Sequence, residues 1–178
     1  MDHDVRRELV ALLPRLRRFA YALSGSLDEA EDIVQSACEK ALSRFHQFER
    51  GSRLDSWMFQ IVRTTWIDKV RYRRRRDTTS DPEMLENLRF DARIAEQTEA
   101  REHLAIIRKQ IGALSEDQRV VLGLVTVDGM SYQEAAQMLG VPIGTIMSRL
   151  ARARRKLAEV IDPDWQQKDA PLAARRGS

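Results

Sequence analysis

The sequence predicts an all-α protein of two small helical domains joined by a flexible acidic linker. Three observations predict it. Apolar residues recur at three- and four-residue steps over most of the chain. Glycine (8) and proline (5) are scarce among 178 residues, so few positions interrupt a helix. A polar stretch carrying a proline, TTSDPEMLENLRFDARIA, separates the two periodic regions.

The first region is nearly continuous helical pattern, broken at Ser24-Gly25-Ser26 and at Arg50-Gly51-Ser52. Its opening helix, VRRELVALLPRLRRFAYAL, contains Pro14, which predicts a kink or a restart. The next helix takes Ser26 as its cap and carries acids in its first turn, where the helix dipole favours them. Ala30, Ile33, Val34, Ala37, Ala41 and Leu42 give it one packing face. A third helix, LDSWMFQIVRTTWIDKVRYRRRR, starts at or just before Asp55. The domain boundaries read as 1–77, a linker over 78–95, a second domain over 96–161 and a disordered tail over 162–178.

The second domain carries the sharper local signals. Ser115 and Gln118 have capping-box spacing, and Ser131 with Glu134 repeats it. Gly140 stands where a helix ends in a left-handed residue, and Pro142 near the first turn of the next helix. A short helix, a three-residue turn with glycine and a longer helix make a helix-turn-helix. On the longer helix Ile146, Leu150, Ala153 and Leu157 form a narrow core stripe. Gly144, Ser148, Arg152 and Arg155 lie opposite, with Thr145, Met147, Arg149 and Arg154 at the flanks. A face of arginine and hydroxyl groups suits a major groove, because arginine donates two bonds to guanine and hydroxyls reach bases or phosphates.

Charge supports that reading. The formal net charge is only +3, yet basic residues cluster at Arg71–Arg76 and at Arg149–Lys156. A phosphate backbone feels such a cluster within a Debye length of about 10 Å. Other classes find little support. Cys38 is the single cysteine, so no intrachain disulfide forms and a reducing compartment is expected. His3, His46 and His103 lack ligand spacing, so no metal, cofactor or catalytic constellation is expected. No apolar run reaches the roughly 20 residues that span a bilayer, and a soluble cytoplasmic protein without membrane insertion is expected.

The segment LSEDQRVVLGLVTVDGMSYQEAAQMLGVPIGTIMSRLARARRKL resembles domain 4 of bacterial sigma factors of the extracytoplasmic-function group, in the sigma-70 family. LDEAEDIVQSACEKAL and LDSWMFQIVRTTWIDKVRYRRR resemble, respectively, the polymerase-clamp-binding helix and the promoter-melting helix of domain 2. The resemblance implies a protein that binds core RNA polymerase at its clamp and flap, reads −35 and −10 promoter elements and nucleates strand opening, with no catalysis of its own. It further implies restraint by an anti-sigma factor, a role in stress response, and a monomer when free of partners.

Carried over by position, the −35 contacts would come from Pro142, Gly144, Thr145, Met147, Ser148, Arg149, Arg152 and Arg155. Met147 departs from the Arg or Lys often found there in the family. The −10 contacts would come from Arg53, Asp55, Arg63, Trp66, Lys69, Arg71 and Arg74, with FERGSRLDSW as the loop that holds an unstacked base. Trp57 reads as core. Asp28, Glu31, Asp32, Gln35 and Glu39 would dock on the polymerase clamp, where charge complementarity steers encounter. Two rival readings stand beside this one: a conventional helix-turn-helix regulator, and a sigma-like mimic that titrates an anti-sigma factor.

Overall fold

The computed structural model describes residues 3–49, 51–77 and 109–161. The linker at 78–95, the start of the second region and the tail at 162–178 lie outside the described residues. All regular structure among the described residues is helical.

Helix α1 spans His3–Ser24, α2 Leu27–Ser43 and α3 Leu54–Asp77, with a short 3₁₀ turn at Phe45–Gln47. Pro14 sits inside α1 without ending it. Proline removes the bond to the carbonyl of Val10, and Val10 is 59% exposed, so water can reach that side of the helix. Ser26 caps α2 by accepting the Glu29 N–H, as its spacing predicts. Leu16, Phe19 and Leu23 of α1 meet Ile33 and Ala37 of α2 and Met58, Phe59 and Val62 of α3 in one buried cluster. Phe19 and Phe59 pack edge to face, with ring centroids 5.1 Å apart.

In the second region, residues 109–113 are helical. Helix α4 follows at Glu116–Leu122, then a π-helical segment at Gly123–Val127, α5 at Tyr132–Leu139 and α6 at Ile143–Ile161. Both capping boxes form in full, Ser115 with Gln118 and Ser131 with Glu134. Gly140 adopts the left-handed conformation at φ 64°, and the Val141 N–H returns to the Ala136 carbonyl to close the turn. Pro142 sits one residue ahead of α6, where its carbonyl accepts the Thr145 N–H at 2.9 Å. The helix that begins at Glu116 widens at Gly123, where the Asp128 N–H bonds five residues back to the Gly123 carbonyl. That wide turn swings Asp128 toward the first region.

The two regions pack directly against each other. Their cores merge into one apolar cluster in which Val120, Val121 and Leu124 join the α1 and α3 residues. Gly123 makes the approach possible: a Cβ there would stand 3.1 Å from the ring of Phe19. Its φ of −62° is ordinary, so close contact rather than backbone freedom calls for glycine.

Candidate nucleic-acid interface

Helix α6 turns its narrow stripe inward. Ile146, Leu150 and Ala153 are buried at 0–2% exposure, and the remaining faces carry the charge. Six of the eight residues expected at a −35 element are exposed: Pro142, Gly144, Met147, Ser148, Arg152 and Arg155. Thr145 and Arg149 are half-buried. Ser148 donates its hydroxyl proton to the Thr145 carbonyl at 3.1 Å, a local bond that fixes its rotamer. Arg149 is tied to Asp117 of α4, an ion pair that braces α6 against its neighbour.

The acidic face of α2 is equally clear. Asp28, Glu31, Asp32, Gln35 and Glu39 are all exposed along one side. Gln35 and Glu39 share a hydrogen bond at 3.1 Å, and Asp32 lies 3.8 Å from Lys69. Such exposed pairs contribute little to stability, on the order of 0–1 kcal/mol each. The face is therefore available to a partner at small cost.

The residues expected to read a −10 element behave differently. Arg71 and Arg74 at the end of α3 are exposed, and so is Arg53 at its start; Arg63, Lys69 and Asp55 are half-buried. Trp66 is a correction. Its ring is buried at 2% exposure beneath the Arg119 guanidinium, 5.3 Å from the ring centroid, so in this arrangement it packs in the core instead of presenting a face to a base. Trp57 is half-buried in an aromatic cluster with Phe48 (5.2 Å) and Phe45 (6.5 Å), which anchors the loop that precedes α3.

Several of these −10 candidates are engaged by the second region. Arg53 forks onto Asp55 at 2.8 and 3.1 Å and reaches Glu134 of α5 at 3.6 Å. Arg74 pairs with Glu116 of α4 at 3.0 Å. The Arg53 fork holds the Asp55 carboxyl below its ordinary range. Glu134 is also held low, first by the Ser131 backbone N–H and then by the Ser131 hydroxyl, while its other oxygen faces Arg53. One carboxylate thus closes a capping box and joins two regions.

Sequence reasoning missed the two contacts that fasten this packing. Arg15 of α1 forks onto Asp128 at 3.0 and 2.7 Å, and the Asp128 side chain is fully enclosed. That bond raises the already high Arg15 pKa. Arg119 of α4 donates to the Leu23 carbonyl at 2.8 Å and to the Gly112 carbonyl, with its face against Trp66. Burial pushes the Arg119 guanidinium down from its ordinary value. No local pattern announces the Arg15–Asp128 and Arg119–Leu23 pairs, which join residues 113 and 96 positions apart. Among the described residues, no His, Cys, Asp and Glu group is arranged to hold a metal ion, and no helix is long and apolar enough to cross a membrane.

Comparison with known proteins matches this two-part architecture. Residues 9–76 match the model of sigma-70 region 2, and residues 104–157 that of sigma-70 region 4. The extracytoplasmic-function (ECF) RNA polymerase sigma factor EcfG of Rhodopseudomonas palustris is 36% identical over 96% of this chain and 92% of its own length. The ECF sigma-E factor of Escherichia coli K12 is 30% identical over 76% of this chain and 75% of its own. The sigma factor RpoE of Bartonella quintana, solved in complex with the anti-sigma factor NepR, superposes with a TM-score of 0.73 at 37% identity, covering 92% of this chain and 99% of that one. The fold and these matches define a sigma-70-type transcription factor of regions 2 and 4. Within that class, the chain belongs to the ECF RNA polymerase sigma factors.

Proposed function

We propose that this chain binds core RNA polymerase in the cytoplasm and directs it to promoters, reading a −35 element with α6 and a −10 element with α3 and the loop before it. The observation that carries the reading is the exposed arginine face of α6, set on a helix-turn-helix whose first helix has both its Ser131 cap and its left-handed Gly140 turn in place. The work divides between residues 1–77, which bind polymerase and open the −10 element, and 96–161, which read the −35 element. Neither has a catalytic role. The acidic face of α2 docks on the polymerase clamp. In the packed arrangement Arg53 and Arg74 are held by Glu134 and Glu116, so −10 reading by these residues requires the two regions to part. The Bartonella relative was solved with an anti-sigma factor, and we carry that class of partner over to this chain.

Run-off transcription from a promoter library, with bacterial core polymerase and with or without this chain, tests the proposal. Specific initiation is expected only when both are present. Tight binding to duplex DNA without polymerase, and no initiation with it, would identify an ordinary helix-turn-helix regulator instead.

A further inference from the structure

The exposed side of α6 carries an apolar strip that arginine chemistry does not account for. Ile143 is 43% exposed and Met147 52%, and Ala151 continues the row outward. Residues four apart share a helix face, so Ile143 and Met147 lie side by side on the first two turns. Ile143 borders the core stripe of Ile146, Leu150 and Ala153 and Met147 stands farther round the helix, yet both keep a large exposed surface. A single exposed apolar residue is unremarkable, but here two adjoin on a helix whose other outward residues are largely basic. Arg152, Arg154, Arg155 and Lys156 are all exposed around and beyond the strip, a charge pattern that favours a polyanion as its occupant.

Gly144, next to Ile143, adds an independent observation. It is the second residue of α6, and glycine is among the poorest helix formers. A Cβ at that position would meet no heavy atom within 4 Å, so nothing inside the chain requires the missing side chain. The glycine beside the exposed apolar pair leaves room for something outside to approach the helix closely.

A duplex offers an apolar side chain in its major groove one apolar group of its own, the C5-methyl of thymine. The N-terminal residues of a recognition helix are those that reach base edges, and Ile143 is the first residue of α6. We propose that Ile143 and Met147 form an apolar reading pair that selects thymine methyl groups in the −35 duplex, with Gly144 allowing the close approach. This inference rests on the reading of α6 as the −35 helix. It makes Met147 a specificity residue in its own right, since a methionine there favours a methyl where arginine or lysine would favour an acceptor.

The test uses the duplex that this chain, with core polymerase, selects from a randomised promoter library. Each thymine of its −35 element is replaced in turn by 2′-deoxyuridine, which deletes the methyl and leaves base pairing intact. At one or two positions the holoenzyme is expected to bind about fourfold more weakly, the effect of one buried methyl-sized group. Met147→Ala or Ile143→Ala should erase that sensitivity at its own position. Both side chains are exposed, so neither substitution threatens the fold. If no deoxyuridine matters while scrambling the −35 element still abolishes binding, the methyl reading is overturned and the function stands. Sensitivity that survives in both variants also overturns it. If binding ignores the −35 element altogether, the reading of α6 fails and the methyl inference falls with it, leaving the strip as a surface for a protein.

Discussion

Two arginine-rich helices, α3 and α6, are built alike and used differently. Each buries an apolar stripe and sends its basic residues outward. On α3 those charges meet carboxylates across helix boundaries: Arg73 with Glu29 of α2, Arg74 with Glu116 of α4, and Arg53, just ahead of the helix, with Glu134 of α5. On α6 the braced arginine is Arg149, held by Asp117, while Arg152, Arg154 and Arg155 stand exposed. A basic run in a sequence says only that a cation is present. Whether it is available to DNA depends on which acids the fold places opposite it, and here the fold covers the −10 candidates more than the −35 candidates.

The strongest way to break that contrast is to remove Asp128. Its enclosed carboxylate receives both arms of Arg15, and breaking a buried pair costs about 3–5 kcal/mol, the lower end applying here because Arg15 is one-third exposed. Asp128→Ala should therefore lower the unfolding free energy by about 3 kcal/mol, read by urea denaturation. The same substitution should expose the α3 arginines, measured as a gain in affinity for single-stranded −10 DNA. An unchanged denaturation midpoint would show that the two regions hold together without this pair. Gly123→Ala should act next in size, by about 1–3 kcal/mol, because its methyl would press on the Phe19 ring, itself fixed against Phe59. Phe19→Leu in the same chain, by making room, should recover part of that loss.

The helices and their caps were legible because their signals are local. Ser26, Ser115, Ser131 and Gly140 each act within a few residues, and each stands where its spacing placed it. The core stripe of α6 was legible for the same reason, since a 3.6-residue period survives without knowledge of the neighbour. The packing between the regions was not legible. Arg119 bonds to a backbone carbonyl, which every residue possesses, so nothing in the sequence marks Leu23 as its partner. Trp66 shows the complementary failure: on one helix it resembles a base-stacking ring, yet the fold buries it in the shared core with Arg119 of the other region over its face. Met147 and Gly144 were visible as departures, yet their exposure and the open space around them had to be seen in three dimensions.

Promoter binding sharpens the comparison. Arg152→Ala should cost about 1–3 kcal/mol at a −35 element, concentrated at one base pair, if its guanidinium forks onto a base. Arg74→Ala should act on every promoter alike and reduce the salt dependence by about one charge. Arg74 also holds Glu116, so its removal frees the regions as well as weakening the backbone contact. Glu116→Gln separates the two effects: it should loosen the packing while leaving the salt slope intact. If Arg152→Ala and Arg74→Ala gave the same promoter-independent loss, α6 would be a general phosphate binder and the contrast with α3 would disappear.

The smallest expected effect is on acid sensitivity, and its sign follows from the carboxylates around Arg53. Asp55 is held below its ordinary value of 3.8, chiefly by the Arg53 hydrogen bond, and Glu134 below 4.5, chiefly by the Ser131 N–H. A carboxylate with a lowered folded-state pKa contributes stability that is complete above its ordinary value and is lost as pH falls through the lowered one. Acid should therefore loosen this part of the packing progressively below about pH 4.5, with Glu134 responding before Asp55. Glu134→Gln keeps a side-chain acceptor for the capping box but has no proton to gain in that range. Denaturation midpoints of the variant and the parent should converge as pH falls from neutral through 4.5 and 3.8. A gap that stays constant over that interval would assign the role of Glu134 to its neutral hydrogen bonds, leaving its charge toward Arg53 without consequence.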